Sequence, residues 1–270
     1  DLAAWAGAPF EKGAADGRLQ AVSLLFELEG IDPQAFPPPA ELAALSRGAI
    51  AGGEIELPEY VRELPGNWVQ PGAVRDGRRA FLLDLATGVD GTDPAGLAAA
   101  EVLCRRRVWQ IWRFLRARVG GYARSRLARV ADALGVRETR RVTGRSVLTD
   151  RDVLEARKFP DGVCRGSFYM DLHDGQPKDR RHVEQLSPPP GDYYEIPYGC
   201  LVPREVSGLL VAGRCISTTR RANGSARVQV TCMNTGQAAG TAAALCARRG
   251  LLPEQLAREE LRAVLAGQGM

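Results

Sequence analysis

The chain has 270 residues, 45% hydrophobic and 25% charged, enough apolar material to bury the core of one large domain or two smaller ones. Lys plus Arg number 36 against 32 Asp plus Glu, and the basic clusters at Arg105-Arg106-Arg107, Arg140-Arg141 and Arg220-Arg221 are interspersed with acids, which argues against a nucleic-acid binder. The lysines are Lys12, Lys158 and Lys178, so the positive charge is almost all arginine, as a GC-rich coding sequence gives.

In chain order, residues 20–28 predict a strand, followed by a Pro-rich loop over 32–40 and a short helix over 41–46. Residues 54–63 and 67–69 read as short extended segments, and 79–85 as a further strand. Asp93 is a strong N-cap with Pro94 in the first turn; Leu97, Val102, Val108, Ile111, Trp112 and Leu115 then give a helical apolar stripe to about residue 119. Gly120-Gly121 ends it, and a second helix is expected over 122–134. Strands over 136–142 and 163–172 flank a short helix over 150–158; residues 193–202 read as extended, and a last helix covers 253–266.

The segment 209–250 is the most informative. Four apolar residues, Leu209 to Ala212, run into Gly213, which suits a strand buried on both faces in a parallel sheet. After a polar loop, a helix is expected from about Thr231 to Arg249 with Gly250 as a left-handed cap. Gly236, Ala239, Gly240 and Ala243 recur at three and four, so one helix face carries almost no side chain and admits a backbone or a flat ligand. A helix N-terminus there offers free N–H groups to an electron-rich edge.

This segment resembles the C-terminal part of the FAD-dependent oxidoreductases of the glutathione-reductase-type flavin fold. In those proteins a strand ending in VAGR leads through an arginine-containing loop to a GQAAG helix that covers the flavin. The resemblance extends to Asp1-Leu2-Ala3-Ala4-Trp5-Ala6-Gly7, Arg137-Glu138-Thr139-Arg140-Arg141, Asp171-Leu172-His173-Asp174 and Ile196-Pro197-Tyr198, and so covers nearly the whole chain. It implies an α/β protein: a partial FAD/NAD(P)-binding Rossmann-like domain with an inserted α+β substrate (cap) domain. Residues 1–18 would be a remnant of the FAD-binding domain, 19–191 the cap, and 192–270 the C-terminal part with its terminal helix. The GxGxxG that admits the cofactor pyrophosphate in such folds is absent from the sequence. The simplest expectation is a fragment lacking that unit; the alternative is a chain that needs a separate GxGxxG-bearing polypeptide.

By the resemblance, FAD is the cofactor and the reaction is hydride transfer between an organic small molecule and the flavin. Gly213, Arg214, Gly236, Gln237, Ala238 and Ala239 are the cofactor-binding candidates, the last four through backbone at the start of the helix. Arg227 matches an arginine placed just before that helix, for the flavin edge or a substrate carboxylate. His173 is a candidate to move a proton; the alternative is a structural histidine beside a turn capped by Asp171 or Asp174. Arg140 is the candidate substrate-anion contact, with Glu138 as its expected ion-pair partner, and Tyr198 either lines the substrate cavity or packs. His182 reads as a solvent-exposed loop residue. Similar proteins often carry a histidine where this chain has Thr219-Arg220-Arg221, so histidine chemistry is not carried over to that point.

The six cysteines, Cys104, Cys164, Cys200, Cys215, Cys232 and Cys246, form no CxxC pair and no zinc-ligand spacing, so no metal is expected and reduced thiols in a cytoplasmic protein are. Residues 231–247 are interrupted by Asn234, Thr235, Gln237 and Thr241, so no membrane span is expected; a homo-oligomer is compatible with the sequence. A hydrolase with a Cys or Ser nucleophile and His173 lacks a GxSxG elbow or a Cys/His signature.

Overall fold

The computed structural model describes residues 1–174 and 180–269, and only the backbone of 180–182. It divides into two compact units, Asp1–Arg18 with Glu138–Met270, and Leu19–Arg137. The first elements, α1 (Leu2–Trp5) and β1 (Phe10–Lys12), belong to the unit that the chain re-enters at Glu138.

The 19–137 unit is built on a three-stranded antiparallel sheet. In chain order come β2 (Val22–Ser23), β3 (Phe26–Glu29), α2 (Pro39–Ala51), β4 (Arg78–Phe81), β5 (Asp84–Ala86), α3 (Pro94–Arg118) and β6 (Arg126–Val130). β3 pairs with β4 on one side and β6 on the other, and β2 pairs with β5. The expected strand over 20–28 is thus split into β2 and β3, and that over 79–85 into β4 and β5. α3 starts where expected: the Asp93 carboxylate accepts from the N–H groups of Ala95 and Gly96 and occupies two of the orphan donors. Its buried stripe runs through Cys104, Val108, Ile111 and Leu115; Val102, assigned to that stripe from the sequence, is 72% exposed.

The helix expected over 122–134 does not form. Those residues supply β6, because pairing with β3 outweighs local propensity. Tyr122 is fully buried and donates to the Trp68 carbonyl at 2.7 Å. A Cβ on Gly121 would lie 2.1 Å from the Phe36 ring, so only glycine lets the chain leave α3 beneath that ring. Residues 54–63 join no sheet, and Gly66–Val69 is a 3-10 turn rather than an extended segment.

The other unit continues with β7 (Arg140–Val142), α4 (Asp150–Leu154), β8 (Gly162–Gly166), α5 (Arg180–Gln185), β9 (Tyr194–Pro197), α6 (Arg220–Ala226), α7 (Gln229–Arg249) and α8 (Arg258–Gly267). β1 pairs with β7, and β8 with β9, both antiparallel. These pairings, and the packing of α4 against α6, place residues 138–191 with 1–18 and 192 onward, whereas the sequence reading grouped them with the inserted segment. Tyr194, Ile196, Tyr198, Cys200, Ile216, Ala238, Ala242, Leu261 and Leu265 share its apolar core.

The parallel strand expected at Leu209 to Ala212 is not realised. Among the described residues no strand pairs with it, and the Val211 N–H donates to the Leu201 carbonyl at 2.8 Å. The apolar run is spent on partial burial against this core instead. Every named strand pairing among the described residues is antiparallel; the parallel contact is the isolated bridge between Leu148 and Thr218. α7 agrees closely with expectation, and Gly250 closes it at φ 63°, ψ 31°.

Candidate functional site

The site is organised by α6, a helix the sequence reading left as a polar loop. Thr219 caps it, its hydroxyl accepting from the Ala222 N–H, and its last buried residues press against the segment 168–174. Ser225 donates to the Phe168 carbonyl at 2.5 Å and lies 2.7 Å from the Tyr194 hydroxyl. Gly224 meets the Asp171 backbone directly: a Cβ there would sit 2.9 Å from the Asp171 carbonyl oxygen and 3.0 Å from its nitrogen. This close approach fixes Asp171 and His173 relative to Arg227, which ends α6.

Three side chains converge on the Asp171 carboxylate. Tyr169 donates to Oδ1 at 3.1 Å, and His173 Nε2 lies 2.9 Å from Oδ2. Arg227 Nη2 donates to the Asp171 carbonyl at 2.8 Å and lies 3.4 Å from Oδ2. With an ionised carboxylate as acceptor, Nε2 is the ring nitrogen that carries a proton. Burial, helped by the Asp171 charge, pushes the Tyr169 hydroxyl up to about 12, so it stays a donor. His173 is held by a carboxylate that also holds an arginine, an arrangement that suits either a proton-moving or a structural histidine.

A second charge cluster stands at the other end of α6. Arg220 lies 3.2 Å from Glu138 and 3.1 Å from Asp174. Glu138 is fully buried at its side chain and also lies 3.7 Å from Arg141. Glu138 therefore pairs with Arg220 and Arg141, not with Arg140 as the alternation of 137–141 suggested. Arg140 pairs with Asp1 and stacks on Phe10 at 5.2 Å, so its guanidinium is engaged at the chain start.

The remaining candidates separate. The 3-10 turn Gly213–Cys215 sits against α7: Gly213, at φ 76°, donates to the Thr235 hydroxyl at 3.0 Å, and the Arg214 carbonyl accepts from Asn223. Gly213, Arg214, Arg227, Asp171 and His173 thus lie around the first two turns of α7. Gly236, Gln237, Ala238 and Ala239 lie about two turns inside the helix, where each N–H points at a carbonyl four residues back. The orphan N–H groups are those of Gln229, Val230 and Thr231, at an end with no side-chain cap and no acid in its first turn. Ala238 and Ala239 are buried, and Gln237 donates to Gln268 at 2.9 Å. Gly236 and Gly240 are exposed with open space above them, so the bare helix face exists and is free of this chain's own side chains. Tyr198 is fully buried and donates to the Pro253 carbonyl at 3.0 Å, packed in the core of its unit. The His182 side chain lies outside the described residues.

A family model described as FAD dependent oxidoreductase matches residues 1–265. The chain belongs to the FAD-dependent oxidoreductase family. No curated protein and no solved structure matches it. The family is FAD dependent, and FAD is the cofactor. The residues present fit the flavin end of that cofactor, on the open face at Gly236 and Gly240 and the unsatisfied N-terminus of α7 beside Arg227. Among the described residues no helix is long and apolar enough to cross a membrane.

The cysteines of this flavoprotein are free thiols. Burial pushes Cys104 up to about 11, and Cys164 and Cys200 up to about 12. These thiols therefore remain protonated in the native protein at neutral pH and are poor nucleophiles. Ellman's reagent at pH 8 is expected to label none of these three until the chain is denatured. Because folding raises their pKa above the ordinary value of 9.0, their contribution to stability is complete below pH 9 and is lost as pH rises towards about 12. A urea midpoint that rises between pH 9 and 11 would contradict this.

Proposed function

We propose that the chain is the C-terminal part of a glutathione-reductase-type flavoenzyme that moves a hydride between an organic small molecule and its flavin. The observation that carries this reading is the convergence of Tyr169, His173 and Arg227 on Asp171, next to the turn Gly213–Cys215 and the first turns of α7. When bound, FAD supplies the two-electron acceptor. The chain's own residues do the rest. The N–H groups at the start of α7 and the Arg227 guanidinium favour negative charge on whatever edge is placed before them. Asp171 orients the His173 ring, the group proposed to take or return the substrate proton. Arg214 stands at the exposed rim of the same turn, and Arg140 remains the candidate for a substrate anion if it exchanges its contact with Asp1.

We assign residues 1–18 and 192–270 to the Rossmann-like FAD-binding domain and the compact unit 19–137 to the substrate (cap) domain, with 138–191 on the cofactor side. The lack of GxGxxG supports a fragment of the full enzyme. The second reading, a chain completed by a separate GxGxxG-bearing polypeptide, is favoured by Val230 and Met233, each 68% exposed on the turns of α7 that precede Gly236. The buried, protonated thiols support a reducing, cytoplasmic setting.

Gel filtration after incubation with excess FAD tests the assignment. The fragment reading expects FAD to bind the chain alone reversibly but too weakly to survive the column, and to stay when a GxGxxG-bearing segment is supplied. A flavin that stays on the chain alone would overturn the fragment reading.

A further inference from the structure

A cavity of about 310 Å³ opens among β8, β9, α7 and α8. Its buried end is formed by Val163, Cys164 and Glu195, and its exposed end by Arg165 and Arg262. Glu195 is the anomaly. β9 is buried at all four of its positions, and Glu195 is its one charged residue, only 9% exposed. Its carboxylate accepts one hydrogen bond, from the Phe159 N–H to Oε2 at 2.9 Å, and among the described residues no cation stands within 4 Å. Space for it is made by Gly162, where a Cβ would lie 2.4 Å from Oε2.

An ionised carboxylate has about four lone-pair sites, and a buried one without a cationic partner is costly. A positively charged donor in the cavity would remove that cost. The other end offers the opposite sign. Arg262 is anchored through Nη1 to the Pro160 carbonyl at 2.5 Å, and Arg165 lies over the Tyr193 ring at 4.9 Å. Each guanidinium has five N–H donors, so anchoring leaves several for an anion. Val163, Leu265 and Ala266 in the same lining present apolar surface suited to a short methylene stem.

We propose that this cavity is a binding site for a small amino-carboxylate zwitterion, its ammonium group on Glu195 and its carboxylate towards Arg165 and Arg262. The site is built from groups that the proposed hydride transfer does not use, and the proposal does not depend on that reading.

Calorimetric titration of the 270-residue chain with 5-aminovalerate, pentylamine and valerate tests it. The expected order is 5-aminovalerate tightest, pentylamine weaker and valerate weakest. Glu195→Gln keeps the shape and the acceptor for Phe159, and should weaken both amines at least about tenfold, the weight of one charge-assisted hydrogen bond. Arg262→Gln, at an exposed position, should weaken 5-aminovalerate and leave pentylamine unchanged; this arm decides the matter if Glu195→Gln fails to fold. Valerate binding as well as 5-aminovalerate, no saturable binding of either amine, or amine affinity unchanged in a folded Glu195→Gln variant would each overturn the proposal.

Discussion

Arg220→Ala should lower the unfolding free energy by about 3–5 kcal/mol, the usual result of removing one partner from a buried ion pair. Arg220 is 14% exposed and serves two carboxylates, the fully buried Glu138 and the nearly buried Asp174. With it gone, Glu138 loses its nearer guanidinium, and Arg141 stands farther off at 3.7 Å. The deficit should come from the stranded charge more than from lost attraction. Adding Glu138→Gln to Arg220→Ala should therefore recover part of the loss, whereas two independent destabilising changes would add. Urea unfolding of the two single variants and the double measures this. A loss below about 1 kcal/mol in Arg220→Ala would mean that water screens the cluster as it does an exposed pair.

Gly224→Ala should cost about 1–3 kcal/mol, as overpacking of a well-packed contact does. The added methyl meets backbone atoms of Asp171 at 2.9, 3.0 and 3.2 Å, and none of these is the far end of a flexible side chain. The segment 168–174 must move off α6, which breaks the Ser225 bond to Phe168 and shifts Asp171 away from Arg227. Flavin affinity should fall together with stability, since Arg227 and His173 are held through this contact. Unchanged stability and affinity in Gly224→Ala would show that α6 does not fix the site.

What the sequence made legible follows from how local the signals were. Asp93 with Pro94, and Gly250 after an Ala-rich run, mark helix ends through backbone hydrogen bonds made within a few residues, and α3 and α7 lie where those signals put them. β6 was misread because its strand character comes from β3, about 100 residues earlier in the chain. Leu209 to Ala212 has the composition of a buried parallel strand, but composition cannot supply the neighbouring strands.

The site divides in the same way. His173, Arg227 and Gly213 were named through the resemblance; the structure ties His173 and Arg227 to Asp171, and Gly213 to Thr235 of α7. Asp171 as the shared partner, Arg220 as the partner of Glu138, and the isolated Glu195 were not seen, because each depends on contacts between residues tens of positions apart. One local signal was available: Thr219 is a good N-cap, and it would have marked α6. Gly236 to Ala239 were assigned to the start of the helix by the resemblance, although the expected start at about Thr231 and the observed start at Gln229 both place them inside it.

The most direct test of the account is an equilibrium titration of FAD fluorescence with the chain and with Gly236→Leu. Gly236 is exposed with nothing within 4 Å of an added Cβ, so leucine should fold at least as well there, helix propensity alone favouring it by about 1 kcal/mol. The account predicts saturable FAD binding to the chain and at least about tenfold weaker binding to Gly236→Leu, because the side chain would fill the face on which the flavin lies. Equal affinity in the two proteins, or no saturable binding to the unaltered chain, would contradict it.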